Sequence, residues 1–135
     1  MTIPLLALLV IPGCGGSGHA WKGTWSGDRE GLILPDKDDD VIARALKRVE
    51  IKLLGDGRFE MTEMGIPLKG SYSLNGDVAK LKIRSRFDRE VDPNMPELIL
   101  TWQADGSILY EDPGGNYPEP VKMTKEPETN PESNP

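Results

Sequence analysis

The sequence predicts an all-β fold, an antiparallel up-and-down meander of about eight strands forming a small barrel or a strongly curled sheet. Three observations carry this. Apolar and polar residues alternate with period two through most of residues 20–124, as in strands with one buried face. The intervening segments are short and rich in turn formers, as in Gly55-Asp56-Gly57, Asn75-Gly76-Asp77 and Ala104-Asp105-Gly106-Ser107, which supply the positive φ of tight hairpins. A meander with one apolar face hides its edges by curling until the first and last strands meet.

The elements follow in order. A first strand over 20–26 carries Trp21 and Trp25, and a second covers 29–34. Residues 36–47 read two ways. Asp40 can cap a short helix through Val41, Ile42, Ala45 and Leu46, or the stretch is a loop leading into the next strand. That strand, 45–54, alternates Val49, Ile51 and Leu53 with Arg48, Glu50 and Lys52. Phe59 and Met61 then alternate with Arg58, Glu60 and Thr62 in 58–63, and Tyr72 and Leu74 with Ser71 and Ser73 in 69–74. The clearest case is 78–86, where Ala79, Leu81, Ile83 and Ser85 alternate with Lys80, Lys82, Arg84 and Arg86. Leu98, Leu100 and Trp102 mark 97–103; a strand at 107–111 follows, and 120–124 is a further candidate.

Both ends of the chain differ from this middle. Residues 3–12 form an uncharged, largely apolar run, too short for a membrane-spanning helix, which needs about 20 residues, and of the length of a secretory signal's hydrophobic region. Residues 125–135, Lys-Glu-Pro-Glu-Thr-Asn-Pro-Glu-Ser-Asn-Pro, hold no apolar residue besides proline and are expected to be a disordered tail. The expected organisation is a signal peptide at 1–13, a flexible tether at 14–19, a β-domain at 20–124 and the tail at 125–135.

Charge and composition narrow the function. Of 135 residues, 16 are Lys or Arg and 22 are Asp or Glu, a net charge of −6. The 105 residues of the domain hold 15 basic and 19 acidic side chains, a net of −4. An acidic chain repels phosphate backbones, so no nucleic-acid partner is expected. One Cys and one His cannot form a Cys/His zinc site or a disulfide framework, and neither metal nor cofactor is expected. Asp36, Asp38 and Asp40 alternate like the opening of a calcium loop, but Val41 and Lys47 stand where that loop needs Gly and Glu; a solvated acidic turn is the simpler reading. No nucleophile has a recognisable activating partner, and no phosphate-binding or hydrolase motif occurs, so no catalytic residue is nominated. His19 reads as a spectator in the tether.

One surface feature stands out. Lys80, Lys82, Arg84 and Arg86 are expected to project from one face as a basic stripe roughly 20 Å long. It reads either as a partner to carboxylates such as Glu60 and Glu63 or as a site for an anionic surface. Gly114-Gly115-Asn116-Tyr117-Pro118 reads as a loop at the barrel mouth or as a long connection.

Two resemblances add to this reading. Ile11-Pro12-Gly13-Cys14, after the apolar run and before Gly15-Gly16-Ser17-Gly18, resembles the lipobox of bacterial lipoproteins. That resemblance implies cleavage before Cys14, diacylglycerol on its thiol and a further acyl chain such as palmitate on its amino group. It also implies an exported protein held on the cell membrane or outer membrane. Two or three acyl chains anchor firmly, at about 0.8 kcal/mol per buried methylene. Separately, Trp21-Lys22-Gly23-Thr24-Trp25 contains Gly-x-Trp and resembles the first strand of lipocalins and fatty-acid-binding proteins, the calycin group. The resemblance implies that Trp25 closes one end of the barrel with a late basic residue across it, for which Lys122 is the candidate. Read without it, Trp21 and Trp25 are core residues at a strand start.

The expected function is therefore a membrane-anchored, non-catalytic binding module for a small apolar ligand or peptide. Ile51, Leu53, Phe59, Met61, Tyr72, Leu81, Ile83, Leu100 and Trp102 would face its interior. The alternative is a structural or assembly accessory of the cell envelope with a solid core. A solvent-connected void above roughly 300 Å³ separates the two, and an enzyme would need a pocket with two titratable groups.

Overall fold

Alternation along the strands translates into a closed antiparallel barrel. The computed structural model describes residues 18–30, 41–115 and 119–127. Its elements are β1 (Gly23–Asp28), α1 (Val41–Lys47), β2 (Arg48–Leu53), β3 (Arg58–Glu63), β4 (Ile66–Asn75), β5 (Val78–Arg86), β6 (Arg89–Glu90), β7 (Leu98–Trp102), β8 (Ile108–Glu111) and β9 (Val121–Lys125). Apart from β6, each strand pairs antiparallel with the next, and β9 returns to β1, so eight strands close the barrel while β6 hangs on the edge of β5.

Register lines up the inward residues around the barrel. Trp25 lies opposite Ile51, Ile51 opposite Met61, and Met61 opposite Leu68. Tyr72 faces Leu81, Leu81 faces Leu98, Leu100 faces Tyr110, and Ile108 faces Met123. Partners in antiparallel register share a face. Both members of these pairs therefore point inward and build a continuous core, in which Trp25, Val49, Ile51, Leu53, Phe59, Ala79, Leu81, Leu100, Ile108, Tyr110 and Met123 are all but inaccessible to solvent.

Several elements depart from the sequence expectation. The first strand lies at Gly23–Asp28 rather than 20–26, with Trp21 buried ahead of it. Arg29 and Glu30 leave the strand, the Arg29 amide donating to the Lys47 carbonyl at 2.8 Å. The rest of the expected strand 29–34 lies outside the described residues. Ala45, Leu46 and Lys47 belong to α1, so the second barrel strand begins at Arg48. The alternation itself breaks here, with Lys47 at the parity of Val49 and Leu46 at that of Arg48, which marks the boundary the longer strand overran. The candidate at 120–124 is a full barrel strand, without which the barrel would stay open. Also outside the described residues are Cys14 and the signal, Asp36, Asp38, Asp40, the Asn116–Pro118 part of the glycine loop, and the tail from position 128.

A β-bulge changes β5. The β4–β5 register shifts between Lys69 and Gly70, so Ile83 faces Gly70 and Ser85 faces Lys69, leaving Arg84 without an opposite residue. An extra residue inverts the alternation beyond it, and Arg86 comes opposite buried Leu68. Gly70 is required at this crowded point: a Cβ there would stand 1.9 Å from the Lys82 carbonyl oxygen and 2.8 Å from the Phe59 ring.

Candidate functional site

Antiparallel order puts alternate strand termini at opposite ends, and the two ends of this barrel differ in chemistry. The ends of β2, β7 and β9 and the starts of β1 and β8 meet at one end, where three aromatic residues form a plug. Trp25 is 1% exposed and its Nε1 donates to the Trp21 carbonyl at 2.8 Å. Trp102 packs edge-on against both, with ring centroids 5.1 Å from Trp21 and 5.5 Å from Trp25. His19 lies flat on Trp102, its ring centroid 4.3 Å away and the planes 4° apart, and its Nε2 is 2.7 Å from Asp77 Oδ1. The residue read as a spectator thus fastens the incoming chain to the barrel.

The basic residue across Trp25 is Lys125, not Lys122. Its Nζ lies 5.5 Å from the Trp25 ring centroid and donates to the Ala20 carbonyl at 2.8 Å. Parity decides between them. Val121, Met123 and Lys125 share the inward face of β9, whereas Lys122 points outward and pairs with Asp105 at 3.0 Å. The Gly of Gly-x-Trp has a matching role: Gly23 sits at φ +135°, and a Cβ there would come 2.6 Å from Lys125 Cε.

The opposite end is polar and, among the described residues, open. Arg29, 4% exposed, forms an ion pair with Glu63 and lies over the Tyr110 ring, 5.8 Å from its centroid. The Tyr110 hydroxyl donates to the other Glu63 oxygen at 2.7 Å. Burial, reinforced by the Glu63 charge, pushes the Tyr110 hydroxyl well above the usual phenol range. Burial first and the same Glu63 charge second raise the Asp112 carboxyl. Of these groups Glu63 and Asp112 line a cleft of about 250 Å³, with Ile66, Leu68, Ile83, Arg86, Met95 and Leu98 among its other walls. A wider surface bowl of about 720 Å³, with Phe87 and Arg89 on its wall, continues from it and shares Arg86 and Met95.

Of the nine residues expected to face a ligand, only Ile83 lines this cleft. Ile51, Leu53, Phe59, Met61, Leu81 and Leu100 are buried against one another and fill the barrel. Tyr72 and Trp102 are half-buried toward the closed end, the Tyr72 hydroxyl donating to the Leu54 carbonyl.

The expected basic stripe is interrupted. Lys82 donates to the Pro93 carbonyl at 2.7 Å and Arg84 to the Ser71 hydroxyl at 3.3 Å, while Lys80 is exposed. Arg86 has turned to the cleft rim through the bulge. Glu63, expected to pair with the stripe, is engaged by Arg29 instead. Arg29, Glu63, Tyr110 and Asp112 escaped the sequence reading because they come from three places far apart in the chain, only Tyr110 and Asp112 being neighbours; Arg29 just beyond β1 and Glu63 at the end of β3 were the available signal. Among the described residues, no cluster of three or more His, Cys, Asp or Glu side chains could hold a metal ion, and no helix is long and apolar enough to cross a membrane. Neither protein-family models, nor curated proteins, nor solved structures give a match to this chain.

Proposed function

We propose that this chain is an exported, lipid-anchored, calycin-like barrel that acts as a non-catalytic binding module. Its site is the cleft at the open end, and its ligand presents one small apolar group, such as a peptide side chain. The observation that carries this reading is the contrast between a packed barrel interior and a cleft with walls of Ile66, Leu68, Ile83, Met95 and Leu98 at one end. At about 250 Å³ the cleft lies just below the usual range for small-molecule sites, roughly 300–1,000 Å³, which favours a compact group over a whole lipid. Glu63 and Asp112 place two titratable groups at the cleft. Glu63 already accepts from Arg29 and Tyr110, and a carboxylate committed in this way is a structural acceptor rather than a poised base.

The neutral dye N-phenyl-1-naphthylamine tests the site. One equivalent should bind with blue-shifted emission, and Ile66→Trp, which fills the cleft from its wall, should abolish binding while circular dichroism stays unchanged. A wild-type protein that leaves the dye in water refutes the binding reading and leaves the envelope accessory, which the filled interior favours. The anchor is tested separately by intact mass of the membrane fraction from wild type and Cys14→Ala: only the wild type should carry added lipid.

A further inference from the structure

Where the chain enters the barrel decides which way a tethered barrel faces. His19, expected to belong to the free tether, is held, as are the two residues after it: His19 stacks on Trp102 and contacts Asp77, the Ala20 carbonyl accepts from Lys125, and Trp21 is 2% exposed. All of these contacts lie at the closed end. From Cys14 to His19 are five residue steps, which at 3.3–3.6 Å each reach at most about 18 Å whatever their conformation.

The barrel is longer than that reach. The nine residues of β5 run from the closed end to the open end, eight steps or about 26 Å of strand at 3.3 Å per residue. At a strand tilt near 40° this is roughly 20 Å along the barrel axis. With His19 docked at the closed end, even a fully extended tether leaves Cys14 short of the open rim.

We infer, resting on the lipid anchor proposed above, that the barrel stands on its tryptophan-plugged end, with that end toward the bilayer and the cleft facing away from it. The charges of the closed end suit an anionic headgroup surface. Its three hairpin turns each carry an aspartate, two of them paired with a cation, Asp56 with Arg58 at 2.7 Å and Asp105 with Lys122 at 3.0 Å, while Asp77 meets the His19 ring at 2.7 Å. Such pairing reduces repulsion from the negative leaflet. The consequence for function is that the cleft takes its ligand from the aqueous compartment, or from a surface opposite the anchoring membrane, and not from the lipids beneath it.

The chain carries its own reporters, since all three tryptophans, 21, 25 and 102, sit at the closed end. Lipidated protein on vesicles containing dansyl-headgroup lipid should show strong energy transfer from these indoles. Phe87→Trp adds a fourth indole on the exposed β5–β6 turn at the open end, and its extra emission should remain largely unquenched. Inserting about 20 Gly/Ser residues between Gly16 and Ser17 adds roughly 25 Å of average reach and should lower the native transfer severalfold. Quenching of the added indole as strong as that of the native ones, or transfer unchanged by the insertion, overturns the orientation. The full chain coupled through the Cys14 thiol to maleimide lipid repeats the measurement without biological lipidation. A wild-type protein that lacks lipid on Cys14 but keeps this transfer pattern when coupled defeats the anchor reading alone.

Discussion

Glu63→Ala should be among the most damaging single substitutions in this barrel, and its cost can be worked from the open-end contacts. The Arg29 side chain is 5% exposed and that of Glu63 14%, so removing the carboxylate takes this counter-charge from a guanidinium held out of water. Breaking a buried ion pair from one side costs about 3–5 kcal/mol, and the Tyr110 hydroxyl loses its acceptor as well. Native domains are stable by about 5–15 kcal/mol. Urea unfolding followed by tryptophan fluorescence reads the loss directly. At a slope near 1.5 kcal/mol/M, the midpoint should fall by about 2–3 M. Glu63→Leu combined with Arg29→Met removes both charges and fills the space with apolar atoms, so the double variant should be far more stable than the sum of the single losses implies. A Glu63→Ala midpoint within about 0.5 M of wild type, or single losses that simply add in the double variant, would refute a coupled buried pair.

Two further outcomes follow from the same coordinates. Gly70→Ala forces a methyl group against the Lys82 carbonyl and the Phe59 ring at the bulge and should cost about 1–3 kcal/mol. Calorimetry should show the melting temperature falling by roughly 5–20 °C, whereas an unchanged melt would mean the bulge relaxes freely. Asp112→Asn should alter pH dependence. The raised Asp112 carboxyl holds its proton more tightly folded than unfolded, so its contribution is most favourable below the unfolded pKa of about 3.9 and declines as pH rises through the folded value. The variant should therefore gain on wild type at pH 7 and lose that advantage near pH 4; a variant destabilised at neutral pH and not at acid pH contradicts the assigned direction.

The strands at 58–63 and 78–86 could be read directly, because a half-buried strand must alternate and a tight hairpin needs Gly, Asn or Asp whatever the rest of the chain does. The same local logic contained the answer for Lys125, whose parity with Val121 and Met123 places it inward. Its assignment to the tail hid that. The strand at 45–54 overran a break in alternation that Leu46 and Lys47 do show, and local logic misled where a bulge inserts one residue and turns Arg86 from the outer stripe to the cleft rim.

The residue pattern alone determined the fold class, since period-two burial and turn chemistry act over a few neighbours and leave an antiparallel meander as the economical arrangement. Tertiary structure decided everything about the site. Whether inward side chains leave a void depends on how strands far apart in sequence pack, and they fill the barrel except at one end. Arg29, Glu63, Tyr110 and Asp112 become one polar group only when the ends of β1, β3 and β8 converge. The proposed direction of the cleft rests on the length of five residues set against the height of the barrel, a comparison that exists only once the chain has closed.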